Sequence, residues 1–107
     1  MTYTYFDALL ANMMTDEIEA RAIVDVQSMG YTDTTDTTYL YQQLVIYRAY
    51  VILAVESTTD TNDVFTQKAT AYRKEYDAIA KQYAALIAKT STTNTGASAK
   101  SIAWGRG

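Results

Sequence analysis

The stretch "VFTQKATAYRKEYDAIAKQYAALIAK", residues 64–89, decides the fold class. Within it, apolar and aromatic side chains recur at alternating steps of four and three residues: Phe65, Ala69, Tyr72, Tyr76, Ile79, Tyr83 and Leu86. Such steps keep side chains on one face of an α-helix. The pattern therefore predicts a helix of about 27 residues, roughly 40 Å long, with a single buried seam.

The composition of this seam indicates what the helix packs against. Small and aromatic residues dominate it, where an independent coiled coil would favour Leu and Ile. We therefore expect it to pack along another helix of the same chain. The stretch "YLYQQLVIYRAYVILAV", residues 39–55, is apolar nearly all round and predicts the central, most buried helix, over 37–57 with Asp36 as its N-cap. Its Gln and Arg side chains favour a buried helix over a membrane span.

Two shorter helices are predicted before the central one. Residues 3–14 place Phe6, Leu9, Leu10 and Met13 on one stripe. Residues 16–29 follow, with Thr15 as N-cap, Gly30 as the stop and an inner stripe of Ile18, Ala22, Val26 and Met29. The sequence thus predicts an all-α domain, a bundle of about four helices over residues 1–89, followed by an extended C-terminal arm over 90–107.

The composition argues against most catalytic chemistry. The chain has no Cys and no His, which removes thiolate ligands and the commonest general base at neutral pH. Neither GxGxxG nor GxxxxGK[ST] occurs, and "DTTD" (33–36) and "DTND" (60–63) lack the Gly and distal Glu of a calcium loop. We expect no enzyme activity, no cofactor and no metal. A convergent pocket of carboxylates with perturbed pKa values would reverse that expectation.

Charge and tyrosine content suggest contacts between molecules. Residues 1–63 carry ten acidic and two basic side chains, whereas residues 64–107 carry seven basic and two acidic ones. This asymmetry fits either ordinary helix solvation or a head-to-tail assembly in which unlike charges meet. Ten tyrosines are many for one small core, and Tyr is enriched at protein interfaces. Tyrosines outside the long helix are therefore candidates for contacts with neighbouring copies.

A basic face is predicted on the long helix. Lys74, Lys81 and Lys89 recur at near-heptad spacing away from the seam. A solvated face explains them best, and contact between subunits or non-specific contact with DNA phosphates is the alternative.

The C-terminal residues divide into a linker and a binding segment. "STTNTGAS", residues 91–98, has linker composition. In "AKSIAWGRG", residues 99–107, Ile102 and Trp104 alternate with small residues between Lys100 and Arg106. Period-two alternation is typical of an extended strand, and Trp and Arg are common at interface hot spots. We predict an arm that docks on another subunit through Ser98, Lys100, Ile102, Trp104 and Arg106. The alternative is that Trp104 folds back into its own bundle.

Residues 39–84 resemble the small head–tail connector (adaptor) proteins of tailed bacteriophages. The likeness lies in "YLYQQLVIYRAYVILA" followed by "KATAYRKEYDAIAKQY", where these residues match: Ala69, Tyr72, Arg73, Tyr76 and Ile79. It covers under half of the chain. The resemblance implies a ring of copies beneath the portal, continuing the channel for DNA, with the 98–106 segment as docking arm and the long helix in the ring wall.

The resemblance, taken with the expected docking arm, implies a structural virion protein. It would sit in the neck between capsid and tail, after assembly in the host cytoplasm, with portal protein and a downstream neck or tail protein as partners and no membrane contact. The alternative is a small helical interaction or regulatory module that dimerises through the long fourth helix.

Overall fold

The computed structural model describes residues 2–58 and 64–95, with side chains up to residue 89. Within those ranges every regular element is an α-helix: α1 (Ala8–Met13), α2 (Asp16–Ser28), α3 (Thr38–Ser57) and α4 (Val64–Thr95). The predicted all-α bundle of four helices with a long last helix is confirmed. α3 packs against each of the other three, most extensively against α4.

α3 is the central helix because it is buried on nearly all sides. Leu44, Val45, Ala49, Tyr50 and Ala54 are fully buried. Tyr39 and Val55, close to its two ends, are exposed. A helix with so continuous an apolar surface is stable only when other helices cover it, which α2 and α4 do from different sides.

α4 uses the predicted seam to pack on α3. Its seven seam positions are all buried or half-buried, whereas Lys74 and Lys81 on the opposite face are exposed. The Tyr72 ring lies 5.7 Å from Tyr47 and 4.7 Å from Tyr50, which fixes the antiparallel register. On that register Tyr83 lies level with the start of α3, so the last turns of α4 extend past the bundle. The helix continues beyond its predicted end at Lys89 to Thr95.

α2 begins and ends where the sequence predicts. The Thr15 side chain accepts a hydrogen bond from the Ile18 N–H at 3.2 Å, and Gly30 follows the helix with a φ of +95°. Ile18, Ala22 and Val26 are buried as predicted. Met29 is not, and its side chain is 53% exposed. The reason is that Met29 is the C-cap residue, where the backbone leaves helical geometry and turns the side chain off the stripe.

The prediction for the first helix is wrong in its bounds and in which residues share a face. α1 begins only at Ala8 because Asp7 is its N-cap and accepts from the Leu10 N–H at 3.0 Å. The preceding residues are held outside a helix, since the N–H groups of Thr2 and Tyr3 donate to the Glu19 carboxylate. Leu10 is buried, whereas the other three members of the predicted stripe are exposed: Phe6, Leu9 and Met13. The four therefore do not share one side.

The start of α3 also differs from the prediction. The N-cap position is Thr37 rather than Asp36, and no side chain caps the helix there. The Thr37 hydroxyl is instead used in the preceding loop, donating to the Thr32 carbonyl at 2.7 Å and accepting from the Thr34 N–H at 2.8 Å. No helix in the described ranges has the length and apolarity needed to cross a membrane.

Candidate functional site

A polar cluster around Asp7 lies between α1, α3 and α4, level with the second half of α3, and we call this part of the bundle the Asp7 end. The Asp7 carboxylate accepts hydrogen bonds from Lys68 Nζ at 2.6 Å and from the Tyr72 hydroxyl at 2.5 Å. The Asp7 N–H donates to the Tyr50 hydroxyl at 2.8 Å. One residue thereby connects α1, α3 and α4, and the Asp7 side chain itself is only 5% exposed.

These hydrogen bonds determine the charge state of the cluster. Burial by itself raises the pKa of Asp7, but hydrogen bonds from the Leu10 N–H, Lys68 and Tyr72 outweigh it and lower that pKa to about 2. Burial and the hydrogen bond to Asp7 raise the pKa of Tyr72. At neutral pH the cluster is therefore a carboxylate–ammonium pair with a neutral phenol. Both carboxylate oxygens of Asp7 accept hydrogen bonds, Oδ1 from the Leu10 N–H and Oδ2 from Lys68 and Tyr72, so we interpret the cluster as structural.

An aromatic cluster surrounds the same end. Tyr50 makes edge-on contacts with Tyr5 at 5.7 Å and Phe6 at 5.2 Å, and it stacks in a tilted arrangement on Tyr72. The Glu19 carboxylate accepts a hydrogen bond from the Tyr5 hydroxyl at 2.7 Å. Burial and the hydrogen bond to Glu19 raise the pKa of Tyr5. Burial alone would raise the pKa of Glu19, but the hydrogen bonds from Thr2, Tyr5 and Tyr3 outweigh it and lower that pKa.

More of the tyrosines pack inside the protomer than the sequence indicates. Tyr41 and Tyr50, outside the long helix, are buried in the core. Tyr3, Tyr5, Tyr31 and Tyr47 pack against it while partly buried. Only Tyr39, among the tyrosines on described residues, is mostly exposed, at 68%.

The first apolar surface that the bundle leaves partly open lies on α1 and at Phe6 just before it, whose ring also contacts Tyr47, Tyr50 and Tyr72. Phe6 is 59% exposed, Leu9 39% and Met13 37%. Leu9 and Met13 are four residues apart on α1 and so lie on one side of it. We call Phe6, Leu9 and Met13 the α1 stripe. Contiguous exposed apolar side chains of this kind mark interaction surfaces more often than scattered ones do.

An arginine-lined cleft lies between α2 and α4, above α3. Arg21, Arg48 and Arg73 reach it from three helices, over a floor that includes Val51 and Val55. Two of these cations are paired, Arg21 with Glu56 at 2.6 Å and Arg48 with Asp25 at 2.8 Å. Since both pairs are partly exposed, each contributes little to stability.

A second, apolar cleft lies at the other end of the bundle. It is lined by Met29, Gly30, Tyr31, Tyr83, Ala84 and Ile87, and its volume is about 350 Å³. Its floor is ordered by ring packing of Tyr31 on Tyr83 at 4.8 Å, and the Thr32 N–H donates to the Tyr83 hydroxyl at 2.9 Å. We call this feature the Tyr83 cleft.

The predicted site residues fall into two groups. Lys74, Lys81 and Lys89 are exposed on α4. Glu75 and Asp77 are exposed on the same helix, so the face is not uniformly basic. The predicted arm residues lie outside the described residues: Ser98, Lys100, Ile102, Trp104 and Arg106. Their docking stays a prediction.

Sequence reasoning missed the features that organise the site. Asp7 gave only one signal, its position before "ALLANM", where a carboxylate N-cap is expected. Its contacts with Lys68 and Tyr72 join residues more than sixty positions apart, and no local pattern encodes them. The same holds for the convergence of the three arginines.

Within the described residues, no group of His, Cys, Asp and Glu side chains is arranged to hold a metal ion. No protein-family model matches the chain, and neither a curated protein nor a solved structure matches it.

Proposed function

We propose that the protein is a structural virion component, a head–tail connector (adaptor) that forms an oligomeric ring between portal and tail of a tailed bacteriophage. In this proposal residues 98–106 dock the ring on a neighbour, the ring leaves a channel for DNA, and no chemical step is catalysed.

The resemblance to connector proteins supports this proposal. The two stretches that carry it fold as α3 and the seam-bearing part of α4, packed against each other along their length. The likeness therefore falls on the two helices that form most of the core. A dimer through the α4 seam is less compatible with this packing, because the seam residues already cover α3.

The observation that carries the proposal is the apolar surface left uncovered on one protomer. The α1 stripe, Met29 and Ile87 are exposed at separate places on the bundle, although the chain has a well-filled core. A ring subunit needs two different surfaces, one for each neighbour, because a heterologous contact joins unlike patches. Several uncovered apolar surfaces on one small protomer fit that requirement.

The charge distribution supports a head-to-tail contact. Asp16 and Glu17 are exposed at the start of α2, and Lys74 and Lys81 are exposed on the outer face of α4. Since α2 and α4 pack on different sides of α3, these unlike charges lie on different flanks of the protomer. Flanks of opposite sign attract one another between copies and favour one orientation.

A charge-reversal experiment tests ring formation. We expect the full-length chain to show a closed, uniform oligomer of more than two copies by native mass spectrometry. Lys74→Glu/Lys81→Glu should dissociate it, and so should Asp16→Lys/Glu17→Lys. An equimolar mixture of the two variants should recover association, because the reversed flanks are complementary again. Circular dichroism of each variant controls for folding. A two-fold dimer that ignores both reversals would contradict the ring and favour the alternative interaction module.

Deletion of residues 98–107 tests docking in particles. The truncated protein should keep its helical content, because the described bundle lies upstream of the deletion. We expect heads and tails to remain unjoined in electron micrographs of particles assembled with it. Normal joining would show that the arm is not the docking element.

A further inference from the structure

The Tyr83 cleft is an apolar site that its own bundle leaves open. Met29 is 53% exposed and Ile87 42% exposed on its two sides, whereas Tyr83 at its floor is 6% exposed. The hydroxyl of Tyr83 is already hydrogen-bonded to Thr32, so this group needs no partner from a ligand. What remains is an open, shallow cleft whose apolar lining favours an apolar side chain.

The rim of the cleft admits the backbone of another segment. Gly30 lines it at a φ of +95°, and a Cβ placed there would meet nothing within 4 Å. The cleft also lies beside the loop that bears Asp33 and Asp36, both exposed. A fitting ligand is therefore a peptide with a large apolar side chain and flanking positive charge.

The chain itself contains such a peptide. Residues 98–106 carry Ile102 and the only tryptophan, Trp104, between Lys100 and Arg106. An indole has the large apolar area that a cleft of about 350 Å³ is able to bury, and Lys100 and Arg106 complement the acidic loop.

The course of α4 indicates from which copy this segment comes. The helix passes the cleft at Ile87 and continues to Thr95, which is about 12 Å farther along the axis. The described helix therefore ends beyond the cleft of its own protomer, so residues 98–106 of the same copy would have to turn back to reach it. A segment arriving from an adjacent copy would not have to turn back. We propose that the Tyr83 cleft binds residues 98–106 of a second copy, with Trp104 in the hollow beside Ile87 and Met29. This inference rests on the proposed assembly for the presence of an adjacent copy.

The single tryptophan makes the inference directly measurable. In the full-length chain, fluorescence excited at the long-wavelength edge of the indole absorption band, where tyrosine does not absorb, reports on Trp104 alone. We expect emission at short wavelength in the oligomer, moving to the long-wavelength, solvent-exposed position on dilution. Ile87→Glu and Met29→Glu should each give the long-wavelength position at all concentrations. Val24→Glu is the matched control, since Val24 is 63% exposed outside the cleft, and it should keep the native emission.

Mixing distinguishes docking between copies from docking within one. Ile87→Glu keeps its tryptophan but has a damaged cleft, whereas Trp104→Ala keeps the cleft and has no tryptophan. Mixing the two should return the emission to short wavelength, because the tryptophan of one variant enters the cleft of the other. Emission that stays at long wavelength on mixing would overturn the inference, as would native emission that is insensitive to dilution or to Ile87→Glu.

The outcome is separable from that of the proposed function. If the protein forms rings but Ile87→Glu leaves the indole emission unchanged, the docking site is wrong and the connector proposal is unaffected. Recovery on mixing in a two-fold dimer would keep the docking site and contradict the connector.

Discussion

The two ends of the bundle differ in how their side chains are packed and hydrogen-bonded. At the Asp7 end, a buried carboxylate bonded to Lys68, Tyr72 and the Leu10 N–H joins α1 to α4, and the ring of Tyr50 fills the space between the helices. At the Tyr83 end, one tyrosine hydroxyl bonds to Thr32, and the surrounding apolar side chains border an open cleft. The first end pairs its buried polar groups and packs Tyr50 in the core, although the α1 stripe beside it stays exposed. The second leaves apolar surface for another chain, so stability and assembly are expected to separate between the two ends.

The largest effect should come from emptying the Asp7 end. Tyr50→Ala removes a fully buried ring and the acceptor for the Asp7 N–H, which should cost about 3–5 kcal/mol of unfolding free energy. Urea denaturation measures it. Tyr39→Ala, at a ring that is 68% exposed, should change the same quantity by less than about 0.5 kcal/mol. Equal effects would show that the aromatic cluster is not the centre of stability.

Neutralising the carboxylate should have the next largest effect. The pKa of Asp7 falls from 3.8 to about 2 on folding, which corresponds to about 2 kcal/mol of stability above pH 4. Because the folded pKa is the lower one, this contribution is complete above the unfolded pKa and is lost as pH falls from about 4 towards 2. Asp7→Asn should lower stability at pH 7 by about that amount and flatten the acid limb of the stability curve.

Urea titrations at several pH values measure this difference. Asp33→Asn, at an exposed carboxylate in the loop before α3, is the matched control and should leave the acid limb steep. An acid limb that is unchanged in Asp7→Asn would mean that other carboxylates dominate acid unfolding.

A smaller effect is expected from the hydrogen bond between Tyr83 and Thr32 at the Tyr83 end. Tyr83→Phe keeps the ring and leaves the Thr32 N–H without its acceptor, which should cost about 1 kcal/mol. Tyr76→Phe is the control, since the Tyr76 hydroxyl contacts only the Met29 sulfur, a weak acceptor. Thermal unfolding of both variants checks the order of the two effects, and a larger loss for Tyr76→Phe would contradict it.

The smallest effect on folding should come from the wall of the Tyr83 cleft. Ile87→Glu places a charge on a side chain that is 42% exposed, so unfolding of the dissociated protomer should change by about 0.5 kcal/mol or less. Urea denaturation at high dilution measures it. A loss of several kcal/mol would show that the cleft is filled within the protomer and would remove the contrast between the ends.

Local signals in the sequence were reliable where neighbours along the chain determine the outcome. Thr15 caps α2 and Gly30 ends it, since both act on backbone groups within a few residues. The α4 seam faces α3 as its spacing predicts. The predicted stripe of Phe6, Leu9, Leu10 and Met13 does not form as one face, because the helix begins only after Asp7 and Leu10 alone is buried. Asp36 is not the cap because α3 begins one residue later than predicted, at Thr38, which leaves Thr37 at the N-cap position.

The sequence by itself determined the helical class, the burial of α3 and the face by which α4 packs. Helical period and total apolar content are properties of contiguous residues, so they follow from the sequence alone. Only the tertiary structure decided that Asp7 meets Lys68 and Tyr72, that the α1 stripe faces solvent and that a cleft forms beside Tyr83. Those outcomes depend on helix register and on contacts between distant residues, which are fixed when the helices pack together.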